Sequence, residues 1–212
     1  MIHIVDKISS TNNWLPVYFF EEGDTILSIK QSKGRGRRGN SWDSEMGGAY
    51  FSTISCNHNL LPFITGISIV ETLNEFCDDL KLKWPNDIIY QGKKLGGVLC
   101  ENLGDYSIAG VGLNITNNPP FSTAINLSSL DFELDKYNFI LSFLDHFQMM
   151  FSLSSEEIIE KYLVFDCLVG NEITWEGGTG VVKSIGIDGS LIVEMSGETV
   201  TLYSEEVHIE KY

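Results

Sequence analysis

The chain has 212 residues, with 29 acidic and 14 basic side chains and a formal net charge of −15, a body that repels nucleic acid over most of its surface. Hydrophobic content of 43% with 11% aromatics excludes a disordered chain. No apolar run reaches the about 18 residues that span a bilayer, and the opening MIHIVDKISS lacks the basic start and long apolar stretch of a signal peptide, so a cytoplasmic protein without membrane contact is expected.

Ile2 to Val5 reads as a short strand, and Ser9-Ser10-Thr11-Asn12-Asn13 as a polar turn opening a short helix, where such side chains satisfy free backbone amides. Asp24 to Lys30 alternates into a strand that enters Gln31 to Trp42, QSKGRGRRGNSW. This stretch holds Arg35, Arg37 and Arg38, the only arginines of the chain, set among Gly34, Gly36 and Gly39. Three forked cations on a backbone free to take positive φ suit an anion, and the gathering of every arginine there argues against a merely solvated loop. A strand, Ala49 to Ser55, leaves the loop. Strand, loop, strand differs from a Walker P-loop, and also from a dinucleotide GxGxxG turn.

Pro62 to about Leu80 reads as a helix with the apolar stripe Phe63, Ile67, Val70, Leu73, Phe76 and Leu80. In the dense stretch Lys81 to Glu101, Trp84-Pro85-Asn86-Asp87 reads as a turn, and Ile88 to Tyr90 with Leu95 to Glu101 as a hairpin closed by Gln91-Gly92. Lys83, Asp87 and Lys94 around one proline turn, opposite Gly96-Gly97, point to a site, although each alone is more often a surface or turn residue. Tyr106 to Leu113 is a further strand, running into Asn114 and carrying Gly110 and Gly112, where backbone can be closely approached. Ile115 to about Asp135 is loop-like. Tyr137 to Met150 and Ser155 to Leu163 read as helices, with Phe139, Phe143, Phe147, Met150 and Phe151 as a core stripe and Ser154 or Ser155 with Glu156-Glu157 as a helix start.

After Asp166 short strands dominate: Glu172 to Trp175, Gly180 to Ile185, Ser190 to Met195, Thr199 to Tyr203 and Val207 to Ile209. With turns at Gly177-Gly178, Asp188-Gly189 and Ser196-Gly197 they predict a small antiparallel barrel docked on the larger unit. Cys56, Cys77, Cys100 and Cys167 form no CxxC pair, and the four histidines are scattered, so reduced thiols and no Cys/His metal cluster are expected.

Ser10-Thr11-Asn12, Gln31 with GRGRRG and Trp42, Lys83-Trp84-Pro85-Asn86-Asp87, Lys94-Leu95-Gly96-Gly97, Gly110-Val111-Gly112-Leu113-Asn114 and the turn Gly186 to Gly189 occur in the order found in biotin protein ligases, and the chain resembles that family over nearly its whole length. The resemblance implies an α+β fold: a mixed β-sheet packed with helices over residues 1–165 and a small C-terminal SH3-like β-barrel over 166–212. It implies that biotin and ATP, with Mg²⁺, give biotinyl-5′-AMP, and that the biotinyl group passes to a lysine of a biotin carboxyl carrier protein. Joining a carboxylate to a phosphate brings like charges together, which calls for cations and a site closed to water.

By motif, the resemblance assigns biotin binding to Ser10, Thr11, Asn12, Gln31, Gly34, Arg35, Gly36, Arg37, Lys94, Gly97, Gly110 and Gly112. Arg37, Arg38, Trp42, Lys83, Asn86 and Asn114 go to ATP, Lys94, Arg37 and Lys83 to catalysis, and Asp87 to the metal. Asn40 and Glu210 stand where many relatives have arginine. Nine residues precede Ser10, too few for the DNA-binding winged helix of repressor relatives, so no DNA partner is expected, while a homodimer is admitted. The alternatives are a lipoate or octanoate ligase or transferase of the same fold, an RNA-binding module and a non-catalytic biotin binder.

Overall fold

The computed structural model describes residues 1–18, 21–128 and 134–209, so Glu210 and part of the 115–135 loop lie outside the described residues. The first unit comprises β1 (Ile2–Ile8), α1 (Thr11–Tyr18), β2 (Thr25–Gln31), β3 (Ala49–Ser55), α2 (Leu61–Leu73), β4 (Leu80–Lys83), β5 (Asp87–Tyr90), β6 (Lys93–Asn102), β7 (Ser107–Leu113), α3 (Lys136–Met150) and α4 (Ser155–Phe165). Its strands form one mixed sheet in the order β1-β2-β3-β7-β6-β5-β4. β1 and β2 run parallel, and the other described pairs are antiparallel.

Alternation along the strands gives the sheet two apolar faces. Leu27, Phe51, Ala109, Val111 and Val98 join the main core with α2, α3 and α4, and Phe51 meets Phe143 edge-on at 5.0 Å. Ile26, Ile54 and Ile108 form a smaller cluster with Ile8 and with Leu15 of α1. The aromatic stripe of α3 is core as its spacing predicts, with Phe139, Phe143, Phe147 and Met150 buried. Ser154 and Glu157 form a reciprocal capping box that starts α4. Gln91 and Gly92 both take positive φ, as a two-residue hairpin turn between twisted strands requires.

The α2 stripe departs from its expected length. Periodicity runs on to Leu80, but the helix stops at Leu73, Phe76 is 46% exposed, and Leu80 is the first residue of β4. The helix ends with Asn74 as its C-cap, and Asp79 at φ 65, in the left-handed region that aspartate tolerates better than most residues, turns the chain into β4. At the other end of β4, Trp84-Pro85-Asn86-Asp87 turns into β5 as expected, with a cis Trp84–Pro85 peptide.

The second unit, β8 (Glu172–Trp175), β9 (Gly178–Ile185), β10 (Leu191–Met195), β11 (Glu198–Leu202) and β12 (His208–Ile209), is an antiparallel sheet in the order β11-β10-β9-β8-β12. Among the described residues no β11–β12 pairing closes it into a barrel. Its inward residues Ile173, Val182, Leu191, Val193 and Leu202 belong to the same core as α2. Buried Trp84 donates its indole N–H to the Gly189 carbonyl at 2.8 Å, pinning the proline turn of the first unit to a hairpin of the second. No helix among the described residues is long and apolar enough to cross a membrane.

Trp84→Phe keeps an aromatic ring but leaves part of the indole volume empty and orphans the Gly189 carbonyl. We expect a loss of about 1–3 kcal/mol, read as a lower urea midpoint at unchanged slope.

Candidate functional site

The site lies on the α1 face of the large sheet, and its floor follows from register. Residues paired across strands share a face, so Ser52, Gly110 and Leu99 form one row and Tyr50, Gly112, Gly97 and Asp87 the next. Glycine and serine at the centre of these rows leave a depression. The start of α1, the arginine loop, the proline turn and the 204–207 segment wall it in, leaving a cavity of about 160 Å³.

Neutral groups fill one end. The Gln31 Oε1 atom accepts from the Thr11 N–H at 2.7 Å and from its hydroxyl at 3.2 Å, and Gln31 Nε2 donates to Ser44 Oγ at 2.9 Å. Ser52 lies within 2.7 Å of Thr11 Oγ1 and 2.6 Å of Asn12 Oδ1. Both Asn12 amide protons are engaged, one to Leu99 O at 3.0 Å and one to Glu101 Oε2 at 2.8 Å. Buried Ser10 lines the cavity and its hydroxyl makes no hydrogen bond to the described residues.

Cations line the rest of the cavity. Arg35, Arg37, Arg38, Lys83 and Lys94 line the cavity against two carboxylates, Asp87 and Glu206. The loop achieves this with a single 3-10 turn, Arg37–Gly39, in which Arg38 at φ 54 and Gly39 at φ 78 are left-handed. Arg37 donates to Asn86 Oδ1 at 3.0 Å and to the Ser204 carbonyl at 2.8 Å, and Arg38 reaches the same carbonyl at 3.0 Å. Burial, and then the neighbouring Arg38, press the Arg37 guanidinium below its ordinary pKa, with Asp87 and the glutamates of 205–206 opposing. Lys94 pairs with Asp87 at 2.6 Å and lies over the Trp42 ring at 5.6 Å. Its backbone is fixed by hydrogen bonds to Thr123 O and from Ile125 N, each 3.0 Å. Lys83 lines the cavity with no ion pair among the described residues.

Several expectations need correction. Gly110 and Gly112 line the cavity as expected, but protein side chains also crowd them: a Cβ at Gly110 would strike the Asn12 amide and one at Gly112 would meet Trp42 Nε1 at 2.5 Å. These glycines seat protein side chains. Gly34 does the same for the strand crossing it, since its Cβ would collide with Trp42 O and Ser44 Oγ. Gly36 and Gly97 do line the cavity, with only ordinary contacts around an added Cβ. Asn114 lies outside: it is 3% exposed, and its Oδ1 accepts from Asn117 Nδ2 at 2.9 Å. The residue lies one position past the end of β7, where the side chain is held by Asn117 instead of following the site face.

Ser52, Ser44, Glu101 and the Ser204 carbonyl escaped the sequence reading. Strand alternation through Gly97 and Leu99 places Glu101 on the site face, a signal present but drowned by 28 other acids. No group of three His, Cys, Asp or Glu side chains able to hold a metal occurs among the described residues. Asp87 is suited to give one oxygen to an Mg²⁺ ion held mainly by phosphates and water, its Oδ1 being engaged by Lys94. The Trp42 indole N–H is buried against Gly112 without a partner among the described residues, a donor at the cavity wall.

Gly110→Ala tests the seating of Asn12. The added methyl has no room, and we expect a fold weakened by about 1–3 kcal/mol in thermal melts, together with a larger loss of ligand affinity than Gly97→Ala causes.

Comparison with known proteins agrees with this architecture. The model of the biotin/lipoate A/B protein ligase family matches residues 4–116. The chloroplastic biotin–protein ligase 1 of Arabidopsis thaliana is 28% identical over 87% of this chain, which spans 62% of that protein's length. The bifunctional ligase/repressor BirA of Escherichia coli (strain K12) is 25% identical, with coverage of 92% of this chain and 70% of that protein. The biotin protein ligase from Aquifex aeolicus in complex with biotin and ATP superposes with a TM-score of 0.87 at 27% identity, covering 100% of this chain and 99% of that one. With more than half of its length matched by the family model, the chain belongs to the biotin/lipoate A/B protein ligase family.

Proposed function

We propose that this chain is a biotin–protein ligase: it joins the biotin carboxylate to the α-phosphate of ATP, releasing pyrophosphate, and then passes the biotinyl group to a lysine amine of a biotin carboxyl carrier protein, releasing AMP. The observation that carries this reading is a single cavity with a neutral amide-and-hydroxyl end beside an end lined by Arg37, Arg38, Lys83 and Lys94. A substrate with an uncharged polar ring and a carboxylate that must meet a triphosphate spans both. The structures of the Aquifex aeolicus protein with biotin and ATP support the same assignment.

The Ser10 hydroxyl, the Thr11 hydroxyl and the spare Gln31 Nε2 proton receive the ureido ring, and Asn12 holds the floor in shape rather than touching the ring through its amide protons. Lys94 lies between the attacking carboxylate and the α-phosphate, and Arg37, Arg38 and Lys83 face the phosphates. Trp42 contacts the nucleotide and Asn86 orients Arg37. Mg²⁺, when bound with ATP at Asp87, neutralises phosphate charge. These cations act where negative charge accumulates, and a half-exposed Lys94–Asp87 pair holds lysine in reserve at a cost of about 1 kcal/mol or less to break. Catalysis then rests on orientation and charge, because the adenylate is itself the activated species. The Cys100 thiol, pushed up to about 12 by burial, supplies no nucleophile.

Residues 1–165 act as the catalytic unit and 166–212 as a small domain whose 204–207 segment closes one wall. Four free cysteines suit the reducing cytoplasm.

Incubation with ATP, Mg²⁺, biotin and a biotin-carrier domain should add one biotinyl mass to the carrier. Modification by lipoate or octanoate instead, with none by biotin, overturns the assignment. Lys94→Ala should leave the melt unchanged while slowing adenylate formation by about 10²–10³-fold in a pyrophosphate assay.

A further inference from the structure

Resting on the biotin reading above, we propose that Glu101 is a positioning residue that keeps the ring-binding end of the cavity electrically neutral and in register, so that it governs the affinity for the acid substrate and not for ATP. Glu101 is on β6, two residues beyond Leu99 on the site face, and its side chain is 27% exposed. A lone carboxylate there would repel both substrates. Instead its two oxygens take the Arg35 fork, at 2.6 Å to Nη2 and 3.1 Å to Nη1, and Oε2 also accepts the Asn12 amide at 2.8 Å. Arg35 spends its remaining reach on Asn13 Oδ1 at 2.6 Å. One carboxylate thus ties the turn at the start of α1 to the arginine loop, two segments that carry all the neutral partners of the ring.

The consequence is a division of labour among the arginines. Arg37 and Arg38 rest on a side-chain amide and a backbone carbonyl, and neither makes an ion pair with a carboxylate among the described residues. Arg35 is matched by a full negative charge in bidentate geometry, so it adds little to the field felt by phosphate. The cavity is therefore polarised: neutral around Asn12 and Glu101, positive around Arg37, Arg38 and Lys83. That polarity fixes which end of the acid enters first.

The test uses the full chain and biotin-dependent exchange of pyrophosphate into ATP, with KM measured separately for biotin and ATP. Glu101→Gln keeps the size and an acceptor for Asn12 but turns a donor toward Arg35. We expect its KM for biotin to rise about tenfold or more, with KM for ATP and kcat within about twofold. Arg35→Lys retains the charge and loses the fork, and should give the same split; it serves also if Glu101→Gln does not fold. The double variant should be no worse than the poorer single one, since both remove one interaction. Equal rises in both KM values, a fall in kcat alone, additive losses or an unchanged KM for biotin would each overturn the positioning role while the ligase reading stands. A wild-type chain that exchanges no pyrophosphate with biotin overturns the ligase reading, and this inference with it.

Discussion

Five cations around one cavity repel one another, and the structure depends on how they are held while the body around them is acidic. Each solution is local. Lys94 leans on Asp87, Arg35 on Glu101, and Arg37 and Arg38 share the Ser204 carbonyl. These partners differ in what they cancel, since a carboxylate neutralises while a carbonyl only orients. Positive charge is thereby retained at Arg37, Arg38 and Lys83 and offset at Arg35 and Lys94.

The sheet sets up this arrangement before any charged group is considered. Gly110 and Gly112 alternate with Ala109 and Val111, so the same strand offers apolar side chains to α2 and open space to the site. Asn12 fills the space over Gly110 and the Trp42 indole that over Gly112, each closer than any Cβ would allow. Packing on the second unit then carries the arrangement outward. Trp84 bonds to Gly189, and the Ser204 carbonyl holds the arginine loop, so both walls nearest the phosphate end are anchored on the C-terminal sheet.

Much of this was legible in the chain. Gathered arginines, a proline turn between lysines and the hairpin glycines identify the two walls because they are local and compositionally rare. What was not legible is long-range. The Asn12–Glu101 hydrogen bond joins residues 89 apart, and strand register alone decides that they meet. Glycine in a strand announces close approach without saying by what, so the Asn12 amide and the Trp42 indole over Gly110 and Gly112 could not be foreseen. Asn114 continues their alternation but lies past the end of β7, where its side chain turns into a buried hydrogen bond with Asn117. The end of α2 failed for a similar reason: apolar spacing continues past Leu73 because β4 also needs buried residues, and periodicity does not tell a helix stripe from the strand after it.

The central claim is that one polarised cavity brings an acid with a neutral ring to ATP without help from a carrier. Isotope exchange between pyrophosphate and ATP, run with the purified chain and no carrier protein, isolates that step. The account predicts exchange that requires both biotin and Mg²⁺ and that lipoate and octanoate do not support. Exchange that proceeds without biotin, or with lipoate in its place, would contradict it.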